Sequence, residues 1–389
     1  VENGYGIIQP RISIPPKAAS KTWFSNIYSG NVGLDIYTTA VSDVYQDLFG
    51  EGIFTGKGLY DLQFFSELLE DHFPENTILS HDLLESTYLR CGMATDIELF
   101  DDFPSTYLNY TKRNHRWIRG DWQILLWLLP NVPVKGAGWR PNPINFISRW
   151  KIFDNLRRSL TPFFLLVLLI FGWILLPGSP LIWTLAVLGI SAFPIYSNFT
   201  TEIFSRPTRV KWKLYLEKIR SNLKINTIQA ATNFMFLPHH AQISTDAISR
   251  TLWRLLVSGR KLLEWTTSSQ LEGSKSTEIW LYWKKMWFNV VWAVFCIVLL
   301  WTGPTQGFIL AAVFGLIWII APYFAYVSST RSPKAKEKKL SDRDLKTLRI
   351  YARRTWHFFE QFVNEEQSWL PPDNYQESPY IGSVGRTSP

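Results

Sequence analysis

Residues 161–199 read TPFFLLVLLIFGWILLPGSPLIWTLAVLGISAFPIYSNF and contain no aspartate, glutamate, lysine or arginine. A single helix of that length would extend for about 58 Å, whereas the hydrocarbon core of a bilayer is about 30 Å thick. The helix-breaking residues PGSP at 177–180 divide the stretch into two parts. The pattern therefore predicts a hairpin of two membrane helices, 161–176 and 181–199.

A second apolar stretch extends from Trp287 to Thr330 and is broken in the same way by TGPTQ at 302–306. It predicts two more membrane helices, 287–302 and 307–327. The two hairpin tips carry no lysine or arginine, whereas the segments at the opposite ends of the four helices are basic. By the positive-inside rule these basic segments lie in the cytoplasm. We therefore expect a multi-pass membrane protein whose N- and C-terminal parts are cytoplasmic.

The composition agrees with a membrane protein that carries soluble parts. Hydrophobic residues make up 47% of the 389 positions, and only 19% are charged. Topology and contact with the lipid bilayer explain the net charge of +8, so no nucleic acid is expected as a partner. Cys91 and Cys296 are too far apart to indicate a metal pair or a disulfide framework, which favours a reducing compartment. Since the sequence begins at Val1 without an initiator methionine, we expect a piece of a longer protein.

The chain divides into three predicted regions. Residues 1–160 form a soluble mixed α/β part, and 161–330 form the membrane region. Residues 205–285 of that region form a cytosolic loop. Residues 331–389 begin with a basic linker. The soluble elements are, in chain order, a strand at 5–14 that Pro10 places near a sheet edge, a helix at 60–73, a helix at 80–92, a strand at 95–100 and a helix at 105–129 interrupted at Gly120.

The cytosolic loop contains TDAISRTLWRLLVSGRKLLEW at 245–265, whose apolar residues recur at helical spacing. This predicts an amphipathic helix that lies in the membrane interface. The loop also contains the adjacent His239 and His240. A metal site would need further ligands at suitable spacing, so a structural or interfacial role is favoured for the pair.

Asp82 is the first candidate for chemistry because it lies at the start of a predicted helix, where the macrodipole favours an ionised carboxylate. Flanked by His81 and followed by Glu85, it could act as a general base. The alternative is an ordinary carboxylate at a helix N-terminus.

The glycine-rich stretch FGEGIFTGKGLYD, 49–61, is the second candidate, since glycines let a backbone approach a ligand closely. It predicts a possible substrate loop at Gly56, Lys57 and Gly58. The stretch is not a P-loop, because the GK[ST] ending is absent.

The third candidate is RNHRWIRGDWQ, 113–123. Arginine offers bidentate donors to a diphosphate and keeps its charge, and an indole offers a flat face to a sugar ring. Two alternatives stay open: Trp and Arg also anchor proteins at membrane interfaces, and Arg119 and Asp121 could form an ordinary ion pair.

A cytosolic α/β domain, a helix-borne carboxylate, an Arg-Trp motif and membrane spans, in this order, resemble the GT-A-type synthases of the cellulose and hyaluronan synthase superfamily. YGIIQPRISI, AVSDVYQDLFGEGIFTGKGLYD, FPENTILSHDLLES, NHRWIRGDWQ and RTLWRLLVSGRKLLEW together resemble the bacterial cyclic β-1,2-glucan synthases. RRTWHFFEQFVNEEQSWLPPDNYQES is similar to the start of that family's glucoamylase-like module. The resemblance extends over essentially the whole chain and implies the later half of a GT-A domain and a bacterial inner membrane.

Carried over by position, the resemblance implies that Asp82 deprotonates the acceptor hydroxyl. Arg116 and Trp117 match the RW of the family's QxxRW motif, for the donor diphosphate and the sugar. The glutamine of that motif is replaced by Arg113, which puts its role in doubt. Gln9 resembles a glutamine that follows the donor-binding strands. A divalent metal, Mg or Mn, is implied as a cofactor; its DxD motif would precede Val1, so no metal ligands are expected in this chain.

The resemblance therefore implies an inverting glucosyltransferase that uses UDP-glucose and a β-glucan acceptor, as part of a cyclic β-1,2-glucan synthase. This chain alone would be inactive. A linear β-glucan synthase or another polysaccharide synthase is the alternative within the enzyme class. A transporter is disfavoured because the spans lack ionisable residues. A membrane scaffold predicts that Asp82→Asn changes no function.

Overall fold

The computed structural model describes residues 4–29, 44–70, 72–204, 211–264, 278–301, 303–333, 340–365, 368–372 and 374–383, and only the backbone at 194–196, 198 and 201–204. Two compact units are present, Val1–Pro333 and Lys334–Pro389. Several predicted features extend beyond these residues. They include the motif AVSDVYQDLFGEGIFTGKGLYD at residues 40–43, the predicted amphipathic helix at Trp265, and the predicted membrane helix 287–302 at Thr302. The two units are described separately below.

The first unit is mostly helical, and its sheets are small. Its helices are α1 Pro16–Ala19, α2 Trp23–Tyr28, α3 Val44–Phe49, α4 Leu62–Leu69, α5 Asp82–Leu89, α6 Tyr107–Gln123, α7 Phe146–Ile174, α8 Pro180–Phe204, α9 Trp212–Met235, α10 Leu237–Trp253, α11 Ile279–Lys285, α12 Trp287–Leu299 and α13 Thr305–Thr330. Its strands are β1 Ile7–Ser13, β2 Leu59–Tyr60, β3 Cys91–Phe100, β4 Asn131–Val134 and β5 Gly138–Pro141.

The largest described sheet has three strands in the order β2-β1-β3. β1 pairs with β3 on one side and with β2 on the other, but among the described strands Pro10 itself pairs only with Ala94 of β3, so the side of β1 that faces β2 is open at Pro10. The middle strand accommodates Pro10 because β2 pairs only with Ile7 and Ile8, and because the register with β3 shifts between Pro10 and Arg11. The GT-A assignment of this part stays a prediction.

The helices of the soluble part form close to where the periodicity placed them, with shorter bounds. The helix predicted at 80–92 begins at Asp82 and ends before Arg90, whose φ of 59° turns the chain into β3. The prediction that Gly120 interrupts the next helix is wrong. Instead, α6 continues through Gly120 to Gln123, because the glycine fits against a neighbouring segment described below.

Two helices, α7 and α13, are long and apolar enough to cross a membrane. There are three such spans if α11 and α12, which are bent by 56°, count as one, and the apolar part of α8, Pro180–Phe193, is shorter. The predicted number of four is therefore not confirmed for the described residues. The first span begins at Phe146 because the preceding basic segment continues the same helix, which Asn145 caps by accepting a hydrogen bond from the Ser148 amide at 2.7 Å.

The amphipathic helix predicted at 245–265 extends further along the chain than the helix in the structure. In the structure α10 ends at Trp253, a π-helical turn follows at Arg254–Ser258, and Gly259 adopts a φ of 60°. The left-handed glycine ends the helix. The backbone beyond it is non-helical, and its carbonyl groups are therefore free to bind the side chains of α6.

The membrane helices pack around large side chains, among them the fully buried Trp173 and Trp318. A neighbouring core of Phe24, Tyr107 and Phe236 joins α6 to α10 and α13. In the second unit, α14 Asp342–Phe362 has a capping box in which Ser341 and Asp344 exchange hydrogen bonds, and β6 Tyr375–Gln376 pairs with β7 Gly382–Ser383.

Candidate active site

Asp82 occupies the first position of α5, between His81 and the buried Glu85. Burial raises the pKa of its carboxyl above the ordinary 3.8; the nearby charges of His81, Arg116 and Lys57 oppose this effect, and that of Glu85 adds to it. A raised pKa makes a carboxylate a stronger proton acceptor. The site therefore holds a partly buried carboxyl group among cationic side chains.

The glycine-rich loop lies directly against this carboxyl group. Gly56 has a φ of +83°, and a β-carbon at this position would be 2.8 Å from Asp82 Oδ1. Neither the backbone conformation nor the space suits an L side chain. The sequence predicted that these glycines permit a close approach to a ligand; in the structure Gly56 approaches the carboxylate of the candidate base.

The side chain of Gln9 is hydrogen-bonded to the glycine-rich loop. Its buried amide donates to the Ile53 carbonyl at 3.1 Å, and its Oε1 accepts from the Thr55 amide at 2.5 Å and from the Thr55 hydroxyl at 3.0 Å. Both ends of the Gln9 amide are thus engaged by the residues that precede Gly56. The structure brings Gln9 to the site as a support of the loop.

The other two loop candidates point to different partners. Lys57 forms an ion pair with Asp101, and its charge also opposes the rise in the Asp82 pKa. Gly58 is packed against β1, since a β-carbon there would be 2.4 Å from the Ile8 carbonyl oxygen. Lys57 is therefore near the candidate base, whereas Gly58 serves close packing between loop and strand.

One face of α6 carries residues spaced by three, four and three positions, namely Arg113, Arg116, Gly120 and Gln123. This face packs against the segment that leads into α5. A β-carbon at Gly120 would be 2.5 Å from the Ser80 β-carbon, and the Gln123 side chain accepts a hydrogen bond from the Leu79 amide at 2.7 Å. The contact fixes the register of α6 against α5.

Arg116, one turn before Gly120, is thereby brought next to Asp82. Burial lowers the pKa of the Arg116 guanidinium, and the negative charge of Asp82 opposes that shift. In turn the guanidinium opposes the rise in the Asp82 pKa. The two residues that the sequence singled out on separate helices therefore interact electrostatically.

Arg113 lies among aromatic rings. Its guanidinium carbon is 5.0 Å from the centroid of Phe103, 5.9 Å from that of Tyr110 and 4.7 Å from that of Trp117. Burial lowers its pKa to about 10, so the side chain stays charged at neutral pH. Trp117 keeps part of its indole exposed beside this charge. The pair offers a cation and a flat ring on one side of α6.

The remaining faces of α6 fasten it to the membrane region. Arg119 donates to the carbonyl groups of Glu264 at 2.9 Å and Leu262 at 3.2 Å, beyond the end of α10. Asp121 instead accepts a hydrogen bond from Asn155 on α7 at 3.0 Å. The ion pair considered for Arg119 and Asp121 is therefore not formed.

Tyr60 and Glu85, which were not among the predicted site residues, complete the acidic side of the site. Tyr60 donates to Glu85 Oε2 at 2.7 Å, and His81 Nδ1 lies 2.5 Å from Glu85 Oε1. The hydrogen bond with Glu85 raises the pKa of His81. The position of Glu85 after Asp82 was a signal for its part in the site, whereas nothing in the local pattern pointed to Tyr60.

Metal ions are bound by clusters of His, Cys, Asp or Glu side chains. Among the described residues, the one cluster of three such side chains whose possible ligand atoms all lie within 4.8 Å of one another consists of His81, Asp82 and Glu85. Both carboxylate oxygens of Glu85 are already engaged by Tyr60 and His81. Magnesium requires several free oxygen ligands in near-octahedral geometry. The group therefore does not fit a resident Mg²⁺ ion without losing these hydrogen bonds.

Of the adjacent histidines of α10, His239 is buried and His240 is half-buried. The hydroxyl of Tyr107 is 2.8 Å from His239 Nδ1, and burial lowers the pKa of His239 to about 3 and that of His240 to about 4. Both rings are neutral at ordinary pH. Their place in the core between α6 and α10 agrees with a structural role.

The fold and the site describe a mostly helical, membrane-associated protein in which a helix-borne carboxylate meets an arginine-rich helix. The chain is 37% identical over 391 aligned residues to the cyclic beta-(1,2)-glucan synthase NdvB of Rhizobium meliloti (strain 1021). The alignment includes the whole chain and spans 14% of the length of that relative. This confirms the resemblance to the cyclic β-1,2-glucan synthases. No family model matches the chain.

Proposed function

We propose that the chain is part of an inverting glucosyltransferase that transfers glucose from UDP-glucose to a growing β-1,2-glucan, within a cyclic β-1,2-glucan synthase. The observation that carries this proposal is geometric: Gly56 of the glycine-rich loop lies against the Asp82 carboxylate, and Gly120, one turn after Arg116 on the same face of α6, packs against Ser80 just before α5. The similarity to NdvB along the whole chain supports the same assignment.

In the proposed reaction, the acceptor hydroxyl gives its proton to the Asp82 carboxylate while its oxygen forms a bond to the anomeric carbon of the donor. The bond from that carbon to the diphosphate breaks on the opposite face, and UDP leaves with the bonding electron pair. Arg116 stabilises the charge that develops on the diphosphate. Arg113 adds a second positive charge, and Trp117 offers its ring to the sugar.

A divalent metal, Mg or Mn, belongs to the proposal through the resemblance alone, and it would supply further positive charge to the diphosphate. The group of His81, Asp82 and Glu85 does not fit a resident Mg²⁺ ion without losing the hydrogen bonds of Glu85. Asp82 therefore acts as the base in this proposal and binds no metal. The membrane assignment is also proposed in its finer form, with the chain in a bacterial inner membrane and its basic segments in the cytoplasm.

The proposal is tested by UDP release from UDP-glucose, measured in membranes of cells that express the complete gene encoding the chain. We expect Asp82→Asn to abolish turnover, since the amide cannot accept the proton. Arg116→Ala should lower turnover by about 10²–10³-fold, the usual effect of removing a group that stabilises developing charge. Asp96→Asn and Arg140→Ala change exposed residues of β3 and β5 in the same chemical way and should leave turnover unchanged.

Normal turnover in both Asp82→Asn and Arg116→Ala, at wild-type amounts of protein in the membrane, would refute the assignment. Analysis of the glucan separates the alternatives within the enzyme class, because a linear product or another linkage would favour a different polysaccharide synthase. A scaffold or a transporter predicts no UDP release from the wild type.

A further inference from the structure

An apolar cavity of about 500 Å³ lies beside the first membrane helix, away from the Asp82 site. Its walls are formed by the end of α6 and the following turn, by α7 and by α8, with Trp122, Leu125, Phe164, Leu168 and Ile190 among the lining residues. The volume is in the range of roughly 300–1,000 Å³ typical of sites for small ligands. It is large enough for a single chain-like molecule.

The cavity follows α7 across the boundary between its charged and its uncharged part. The lining residues of α7 extend from Phe153 to Leu168. Arg157 belongs to the charged part of the helix, whereas Phe164 to Leu168 belong to the uncharged stretch. From Arg157 to Leu168 the helix rises by about 17 Å at 1.5 Å per residue. This is close to the depth of one leaflet, half of a hydrocarbon core of roughly 30 Å.

The charged residue of the cavity lining, Arg157, belongs to a cluster of ionic side chains on α7. Arg157 pairs with Asp154 at 2.6 Å, and Arg158 reaches the same carboxylate at 3.2 Å. Two guanidinium groups thus share the Asp154 carboxylate, while the Arg157 side chain remains more than half exposed. An exposed guanidinium that lines an otherwise apolar cavity suits an anionic phosphate group.

We infer that this cavity is a binding site for a glycerophospholipid with a net negative headgroup. One acyl chain lies along α7 from Leu160 to Leu168, and the phosphate contacts Arg157. The arrangement matches the recognition of anionic headgroups by basic residues beside a membrane helix. It does not depend on the proposed glucosyltransferase activity.

The site also adjoins the helix that carries Arg116. Trp122 lines the cavity and donates through its indole nitrogen to the Ser159 hydroxyl on α7 at 2.9 Å. An acyl chain at this place packs between α7 and the end of α6. A bound lipid therefore stabilises the contact between the membrane helix and the helix of the candidate active site.

The inference is tested by native mass spectrometry of the purified chain, titrated with phosphatidylglycerol and with phosphatidylcholine of the same acyl composition. We expect one retained phosphatidylglycerol, bound about fivefold more tightly than phosphatidylcholine, since a basic residue near the membrane surface contributes about 1 kcal/mol. Arg157→Gln should remove this preference while retaining lipid. Arg140→Gln removes an equal charge from the exposed strand β5 and should preserve the preference.

Two changes at Leu165 separate loss of the cavity from loss of the fold. Leu165→Trp fills the cavity and should abolish retention of both lipids, whereas Leu165→Ala enlarges it and should keep one bound lipid. The inference is overturned if phosphatidylglycerol and phosphatidylcholine bind equally, or if Arg140→Gln has the same effect as Arg157→Gln. It is also overturned if lipid is still retained in Leu165→Trp. A dimer without bound lipid would overturn it as well, because a second copy of the chain would then cover the cavity.

Discussion

The close contact between Gly120 and Ser80 allows the effect of Gly120→Ala on the candidate site to be predicted quantitatively. A β-carbon at Gly120 would be 2.5 Å from the Ser80 β-carbon, whereas ordinary van der Waals contacts begin at 3.4 Å. Gly120→Ala therefore requires α6 and the segment before α5 to separate by about 1 Å, the difference between these two distances. Since Arg116 is one turn away on the same face, the separation moves its guanidinium relative to Asp82.

The expected effect on stability is small, and the expected effect on activity is large. Overpacking costs about 1–3 kcal/mol, but alanine favours a helix over glycine by about 1 kcal/mol, so we expect a net loss of about 0–2 kcal/mol. A displacement of about 1 Å between reacting groups costs about 10²-fold in rate. UDP release from UDP-glucose in membranes should therefore fall by about two orders of magnitude while the protein remains folded.

A second substitution tests whether the contact itself is the cause. Ser80→Gly removes the opposing β-carbon, so the double variant Ser80→Gly with Gly120→Ala should recover most of the lost activity. Gly189→Ala in α8 is the matched control, because a β-carbon there meets no atom within 4 Å. Full activity in Gly120→Ala, or no recovery in the double variant, would refute the argument that this contact positions Arg116.

Two further predictions concern buried charges. Burial raises the pKa of Asp121 from 3.8 to about 7, so between these pH values the folded protein keeps a proton that the unfolded chain has released, and stability falls as pH rises through this window. Asp121→Asn should flatten the dependence of the thermal unfolding midpoint between pH 4 and 7, and an unchanged slope would exclude Asp121 as its source. Lys151→Met removes the ammonium group that lies 3.0 Å from Glu51 in the interior and leaves Glu51 with the longer ion pair to Arg90 at 3.8 Å. We expect a loss of about 3 kcal/mol in denaturant unfolding, the lower end of the range for a broken buried pair; adding Glu51→Gln should restore part of it, and a loss below 1 kcal/mol would contradict this account.

Local signals predicted the elements of this chain better than their pairing. Uncharged stretches and helical periodicity indicated where α7 and α13 would form, because hydrophobic length and period are encoded by neighbouring residues. The start of α7 was missed because a basic amphipathic segment and an apolar span can share one helix. The middle position of β1 was missed because both of its partners, Leu59–Tyr60 and Cys91–Phe100, lie far along the chain from Ile7–Ser13. A proline inside a strand signals a missing donor, but it does not show which neighbouring strand omits the hydrogen bond.

The same division applies to the candidate site. The helix-start position of Asp82 and the arginines of 113–123 were visible in the sequence. Their proximity depends on the contact of Gly120 with Ser80, between elements about 40 residues apart. The three-four-three spacing along α6 could have identified the shared face, but only the fold shows which segment faces it. Tyr60 had no local signal, since its hydrogen bond to Glu85 joins two separate elements.

The faces of α6 connect the candidate site to the membrane region. One face places Arg116 beside Asp82. The others carry Arg119, which binds carbonyl groups beyond α10, and Asp121, which contacts α7. Because a helix behaves as a stiff rod over this length, a shift of α7 or α10 must displace the Arg116 face as well. The position of the candidate diphosphate-binding residues is therefore set by α7 and by the segment beyond α10 as well as by the soluble elements before Phe146. A fragment that ends before Phe146 should lose that positioning even where its own strands remain folded.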